Sequence, residues 1–307
     1  MSYTREQNSP NDTDGACLEI AGIRVAINCA DPGMSLGTSE TIQKFAVEKT
    51  DAHVNIRVFW GSPAVLDNGK KIFDSGSLWQ LYSNGEKYQF RFFSPSFGVL
   101  PYQVATFSAD FMSGETYLRR NIGSGQLTYP FEYPLNELLF INLLSQGRGV
   151  EVHAAGVIDP QGNGRLFLGQ SGAGKTTISR LWEGLQGMQI LSDDRIILRN
   201  KRGRVWMHGT PWHGEGRMAL PARAPLTQIY FLRHAPRNAL VLQPKAEAVA
   251  RMFACSFPPF YCAEGIDFTM KFFQAVADAV PCYELSFLPN ESVAKFLGEA
   301  QLVRGLP

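Results

Sequence analysis

Apolar and polar residues alternate from residue 17 onward, and that pattern predicts a strand-rich first half. Within 17–29, Leu18 and Ile20, then Ile23, Val25 and Ile27, alternate on either side of an Ala-Gly turn. Residues 53–60 repeat the pattern with Val54, Ile56, Val58 and Trp60 on one face. Shorter candidates follow at 79–82, 88–93 and 103–107, separated by Ser, Asn, Gly and Pro. The aromatic residues of this region fall at strand spacing, which suits a core more than a binding surface. The period changes at 134–144, where Leu135, Leu138, Leu139 and Leu143 recur at helical spacing behind Pro134. The chain is therefore expected to divide there. The expected organisation is a loose polar tail over 1–16, a β-rich N-terminal domain over 17–133 and a second domain over 134–307.

The second half mixes both periods. Residues 150–158 read as a strand, 159–164 as a turn and 165–168 as a second strand. Six turn residues are too few for a crossover, so these two strands are expected to pair antiparallel, with Ile158 near Arg165 and His153 opposite about Gln170. Ile178, Leu181, Trp182 and Leu185 then mark a helix, and 188–192 a short apolar strand. A hairpin is expected from 196–199 and 204–208, and 208–221 is Gly- and Pro-rich and irregular. Further strands at 225–232 and 283–288, with helices at 245–253, 267–280 and 290–302, make this half an α/β domain.

Between the strand at 165–168 and its helix lies G-Q-S-G-A-G-K-T-T, that is Gly169, Gln170, Ser171, Gly172, Ala173, Gly174, Lys175, Thr176 and Thr177. Gly169, Gly174, Lys175 and Thr176 satisfy G-x-x-x-x-G-K-[ST]. Such a loop lets successive backbone N–H groups curl around phosphate oxygens at the positive end of a helix. Lys175 would place a charge on the outer phosphates, and the Thr176 hydroxyl would offer magnesium a hard oxygen. The acidic pair Asp193–Asp194 closes the next strand. Neighbouring strand residues point to opposite faces, so the two are expected to do different jobs: one holds the metal, and the other accepts the proton of an attacking hydroxyl. Loop 208–221 is placed to contact substrate, with Arg217 or Arg223 the candidate for an anionic group.

Composition narrows the partners. The 307-residue chain has a formal net charge of +1 and 19% charged residues, so neither nucleic acid nor an anionic membrane is expected as its main partner. Five cysteines without C-x-x-C spacing argue against a disulfide framework or a zinc ribbon and fit a reducing compartment. With no apolar leader and no run of 18 apolar residues, the expectation is a cytoplasmic protein.

The order His153, then G-Q-S-G-A-G-K-T-T, then L-S-D-D-R resembles the catalytic domain of HPr kinase/phosphorylase. That family is similar in its nucleotide site to phosphoenolpyruvate carboxykinase. The resemblance covers about residues 150 to 200. It implies a C-terminal P-loop kinase domain with a mixed sheet. It also implies Asp193 as general base assisted by His153, and Asp194 with Thr176 as the metal residues.

The resulting expectation is an ATP- and Mg2+-dependent kinase acting on a Ser or Thr hydroxyl of a peptide or protein acceptor. Two alternatives stay open at this point. One is a nucleotide-binding sensor or assembly protein that transfers nothing, and the other a kinase of a small hydroxyl metabolite. Whether the chain forms a homo-oligomer is left open as well.

Overall fold

The computed structural model describes residues 15–304 apart from 32, 33, 35, 50, 64, 65 and 120–129. Residues 1–14 of the expected tail lie outside the described residues. Two compact units divide the chain, one running up to residue 135 without 20–22, the other made of 20–22 and everything from 136 onward.

The N-terminal unit contains β1 (Gly15–Ile20), β2 (Ile23–Cys29), the single-turn α1 (Glu40–Gln43), β3 (Val54–Trp60) and β4 (Lys70–Asp74). It continues through β5 (Trp79–Ser83), β6 (Lys87–Phe92), β7 (Gln103–Ser108) and β8 (Ser113–Leu118). All eight strands form one mixed sheet in the order β1-β2-β3-β8-β7-β6-β5-β4. The β2–β3 and β3–β8 pairs are parallel, whereas β4 to β8 form an antiparallel meander. Burial alternates along β3, with Val54, Ile56 and Val58 buried and Asn55 and Arg57 exposed. That is the pattern of a sheet with one packed face and one open face. Phe90, Phe92 and Phe107 are core residues, as their strand spacing suggested.

The C-terminal unit begins with α2 (Leu135–Ser145), followed by β9 (Val150–Ile158), β10 (Gly164–Leu168), α3 (Lys175–Glu183) and β11 (Gln189–Ser192). Next come β12 (Arg195–Lys201), β13 (Arg204–Gly209), β14 (Arg223–His234) and β15 (Ala239–Leu242). The unit closes with α4 (Lys245–Ala254), α5 (Ala263–Ala279), β16 (Cys282–Phe287) and α6 (Ser292–Arg304). β9 pairs antiparallel with β10, as the short turn requires, with Gly164 opposite Ile158 and Leu168 opposite Ala154. The register differs by one residue from the expected one. β9 and β14 are long enough to pair with different strands along their length. One end of β9 pairs with β12 and the other with β10 and β11, while β14 pairs with β13 at its start and with β10 and β16 beyond.

Helices cover this sheet system on both faces. Leu166, Leu168, Ile229 and Phe231 pack with Val249 and Met252 of α4 and Phe273 and Val276 of α5. On the opposite face Phe167, Tyr230, Tyr283 and Leu285 pack with Ile178 and Trp182 of α3 and Val293 and Leu297 of α6. Strands buried on both sides lose their polar alternation, hence the five consecutive buried residues of β10. The chain is therefore a mixed α/β protein with two large mixed sheets. β4, β8 and β15 were not expected from the sequence. β4 and β15 are edge strands with mostly exposed or half-buried side chains, and β8 reads S-G-E-T-Y-L, so none of them offers a strong apolar alternation. α5 starts before the expected residue 267, at a terminus that Cys262 does not cap with a side chain. Among the described residues no helix is long and apolar enough to cross a membrane.

Candidate functional site

β10 ends at Leu168 and α3 starts at Lys175, so Gly169 to Gly174 must reverse the chain in one tight loop. Gly174 holds φ +100°, and a Cβ there would stand 2.6 Å from the Phe287 ring. Only glycine fits that backbone in that space. Gly174 also brings no capping side chain to α3, which leaves the first-turn N–H groups to whatever anion the loop surrounds. The helix is fixed from below by Ile178 and Trp182 in the core.

Lys175 is 6% exposed. Its Nζ donates to Gly169 O at 2.9 Å and to Gln170 O at 3.2 Å, so its ammonium sits inside the loop. Burial pushes its pKa below the usual lysine value, against the opposing pull of the Asp194 and Asp193 charges. Beside the loop lies a cavity of about 450 Å³, bounded by Gly169–Ala173, Phe231, Leu232, Arg251, Ala254 and Cys255.

The acidic pair sits where β11 gives way to β12. Ser192 Oγ accepts the N–H groups of both Asp194 and Arg195 at 3.2 Å, which turns the chain and splits the pair. Asp193 is wholly buried. Its Oδ1 accepts from Gly214 N at 3.0 Å and Met218 N at 3.4 Å, and its Oδ2 accepts from Gly216 N at 2.8 Å. Loop 208–221 thus wraps Asp193 through alternate backbone N–H groups. A Cβ at Gly216 would stand 2.6 Å from Asp193 Oδ2, so this wrapping depends on the missing side chain. The Thr176 hydroxyl stands 3.5 Å from the same oxygen.

Asp194 turns the other way. Its Oδ1 lies 2.8 Å from His153 Nε2 on the adjacent β9, and its Oδ2 is paired with the Arg195 guanidinium. Burial opposes its charged form, yet the His153 hydrogen bond and the charges of Arg195, His153 and Lys175 outweigh burial and hold the carboxyl below the usual range.

The expected site residues therefore meet in two pairs, and the partners differ from those the resemblance implied. His153 contacts Asp194 rather than Asp193, and Thr176 stands beside Asp193 rather than Asp194. The turn at Ser192 is the reason, since it directs Asp193 toward α3 and Asp194 toward β9. Of the two arginines considered in the irregular stretch and its flank, Arg217 is exposed and Arg223 lies in β14 over the Trp206 ring.

Behind Asp194 lies a charged group that the sequence reading missed. Arg195 Nε donates to Glu137 Oε1 at 2.7 Å and lies 3.5 Å from Glu151 Oε1, with its guanidinium 4.3 Å above the Phe257 ring. Neither Glu151 oxygen is in hydrogen-bond geometry although Glu137 and Arg195 adjoin it. Burial, then the Glu137 charge, raises the Glu151 carboxyl well above its ordinary value and so favours its neutral form. Period-two spacing in V-E-V-H places Glu151 and His153 on one face of β9, and that was the signal in the sequence.

The residues present fit magnesium. Thr176 and Asp193 offer a hydroxyl and a carboxylate, both hard oxygens, side by side at the helix N-terminus. Among the described residues no group of three or more His, Cys, Asp or Glu forms a metal cluster. Magnesium typically needs only one or two carboxylates together with substrate phosphates and water.

No protein-family model matches the chain, and no curated protein does. Among solved structures that match is the HPr(Ser) kinase/phosphatase from Coxiella burnetii, at a TM-score of 0.31 and 12% identity, over 50% of this chain and 97% of that one.

Proposed function

We propose that this chain is an ATP-dependent phosphotransferase that moves the γ-phosphate to a serine or threonine hydroxyl of a peptide or protein. The observation that carries the reading is the meeting of two devices at one end of the C-terminal sheet. One is a glycine-built anion cradle whose buried Lys175 is hydrogen-bonded to two loop carbonyls, and the other is a carboxylate held by a histidine.

The roles follow the pairings. Loop N–H groups and the α3 terminus bind the phosphates, and Lys175 neutralises charge on the outer ones. The cavity beside the loop has the size of a small-molecule site and takes the nucleoside end. Thr176 and Asp193 would hold magnesium, which when bound neutralises phosphate oxygens. Asp194 is the base: it is partly exposed, held ionised and oriented by His153 and Arg195. It accepts the acceptor's hydroxyl proton as the acceptor oxygen bonds to the γ-phosphorus. The bond from that phosphorus to the bridging oxygen breaks, and ADP leaves. Asp193 is wholly buried and three of its roughly four lone-pair sites accept backbone N–H groups; the site left beside Thr176 suits an ion held there and not an incoming hydroxyl.

The test is transfer from γ-labelled ATP with magnesium, offered to a Ser/Thr peptide library, to HPr and to free serine. Label on a peptide or protein, lost in Lys175→Ala and in Asp194→Asn, is the expected result. An Asp194→Asn protein with near-normal turnover ends the assignment of the base. ATP binding without label on any acceptor, accompanied by nucleotide-dependent changes of assembly, replaces the kinase with a sensor. Label on free serine alone moves the acceptor to small metabolites.

A further inference from the structure

The open face of the N-terminal sheet is ordered in cross-strand rows. Phe59 is opposite Tyr117, Tyr117 opposite Val104, and Val104 opposite Arg91, while the next row begins with Arg57 opposite Glu115. Phe59 and Tyr117 stack with ring centroids 4.8 Å apart. Arg57 is neutralised by Glu115 across the strands.

Arg91 is not neutralised in this way. It lines a cavity of about 260 Å³ together with Arg119, Tyr102, Tyr117, Leu100 and Pro101, and among the described residues no acidic side chain lines it. Neither arginine has an ion-pair partner among the described residues. Arg91 is nevertheless held in place. Its Nε donates to Gln89 Oε1 at 2.9 Å, and its guanidinium lies 3.8 Å above the centroid of the Tyr82 ring. Arg119 gives one N–H to Phe97 O at 3.4 Å, and its backbone N–H bonds to Tyr102 O at 2.9 Å. A guanidinium has five N–H donors, so each keeps most of them for an acceptor from outside. Two half-buried guanidinium groups line one cavity, and a carboxylate placed there is matched by the charge and the donors of both.

The cavity wall also has an apolar part. Leu100 is 57% exposed and the adjacent Val99 92% exposed, next to Pro101 and the Tyr102 ring. The volume suits one or two side chains and is below the usual range for a nucleotide-sized ligand. A chain of net charge +1 with two clustered arginines lacks the cationic track that a nucleic acid or a lipid surface requires. We propose that this cavity binds a peptide segment in which a carboxylate side chain stands next to an apolar one. The carboxylate is bonded by Arg91 and Arg119, and the apolar side chain lies on Leu100, Pro101 and Tyr102. The proposal is independent of the phosphotransfer reading and needs no nucleotide.

The experiment titrates the full chain with two tetrapeptides, N-acetyl-Glu-Leu-Asp-Phe-amide and its neutral counterpart N-acetyl-Gln-Leu-Asn-Phe-amide, and follows backbone amide chemical shifts. The acidic peptide is expected to shift the amides of Gln89, Arg91, Tyr117 and Arg119 saturably, with the neutral one at least about tenfold weaker. Arg91→Gln and Arg119→Gln should each lower the affinity by about tenfold, with shifts elsewhere in the spectrum unchanged. Leu100→Asp changes only an exposed wall and adds a competing carboxylate, so it should abolish binding even if an arginine variant folds poorly. Equal binding of both peptides, shifts that do not saturate at millimolar peptide, or unaltered affinity in Leu100→Asp overturns the proposal. Sodium acetate saturating the same amides as tightly as the acidic peptide does would make this a small-anion site and equally overturn it.

Discussion

The two sheets of this chain differ in how many of their faces are covered. In β3 buried and exposed side chains alternate, whereas β10 is buried at every position and β9 at all but His153. A sheet packed on both faces offers its side chains no route to solvent except where a strand stops. That is where the chemical groups of the C-terminal unit collect: at the end of β10, at the break between β11 and β12, and at His153 beside that break. A sheet with one open face instead presents whole rows of side chains, and aromatic and cationic residues line them. The difference is one of mechanism as well as architecture. Buried charges such as Lys175 and Asp193 must be satisfied by backbone groups, while Arg57 and Glu115 satisfy each other across the open face.

The largest expected effects test whether the proposed phosphotransfer belongs to the strand ends alone. Lys175→Ala should lower phosphate transfer by about 10³-fold, because its ammonium sits inside the loop. Asp194→Asn should lose about 10²- to 10⁴-fold while ATP still binds, measured as turnover and as nucleotide affinity on the same protein. Arg57→Gln, on the open face, should leave peptide-independent ATP hydrolysis within about twofold. A large loss of hydrolysis in Arg57→Gln would erase the distinction between the two sheets.

Next in size are truncations that compare a covered face with an open one. Phe167 is fully buried between Trp182 and Tyr230, so Phe167→Ala should destabilise the C-terminal unit by about 3–5 kcal/mol. Phe59 rests on Tyr117 at the open face, and Phe59→Ala should cost the N-terminal unit about 1 kcal/mol. Urea unfolding followed separately for each unit measures both. Equal costs would mean that the open face is as tightly packed as the covered one.

The sequence was most informative where pattern and spacing act locally. The loop from Gly169 to Thr177 could be read because glycine spacing and the helix after it are local constraints. The β9–β10 hairpin could be read because six residues permit only one pairing sense. What could not be read depends on a single turn. Whether Asp193 or Asp194 faces His153 is decided by Ser192 capping two N–H groups, and either side-chain direction is compatible with L-S-D-D-R. The wrapping of Asp193 by Gly214, Gly216 and Met218 was equally hidden, because it is made by backbone groups about twenty residues away. Glu137 and Glu151 looked like ordinary members of an apolar helix and an apolar strand. Only their meeting at Arg195 gives them a role.

The covered sheet also contains a histidine whose titration should make it acid-sensitive. His208, in β13, is 8% exposed, and its pKa is lowered to about 4, first by burial and then by the charges of Arg199, Arg223 and Lys201. In the unfolded chain the same group takes up a proton near pH 6.5. Between these values the unfolded state binds more protons, so stability falls as the pH is lowered from about 6.5 to about 4, by about 3 kcal/mol. His208→Gln should flatten that slope in urea unfolding across the same pH range. An unchanged slope would assign the acid sensitivity to another group.

The smallest effect has the opposite sign and sharpens the account of the group behind Asp194. Burial favours the neutral form of Glu151 in the folded protein, whereas above about pH 4.3 the unfolded chain carries it ionised. The folded state then binds more protons, so this residue makes the protein less stable as the pH rises. Glu151→Gln removes the titration, nearly preserves the volume, and offers an amide N–H to the adjoining Glu137 carboxylate. The variant should therefore be more stable than the parent at pH 8, and the advantage should shrink as the pH falls through about 4.3, below which Glu151 is mostly protonated in both states. A variant less stable than the parent at pH 8 would mean that Glu151 is ionised in the fold. Arg195 would then be balanced by three carboxylates rather than two, and less of its charge would be available to hold Asp194 in place.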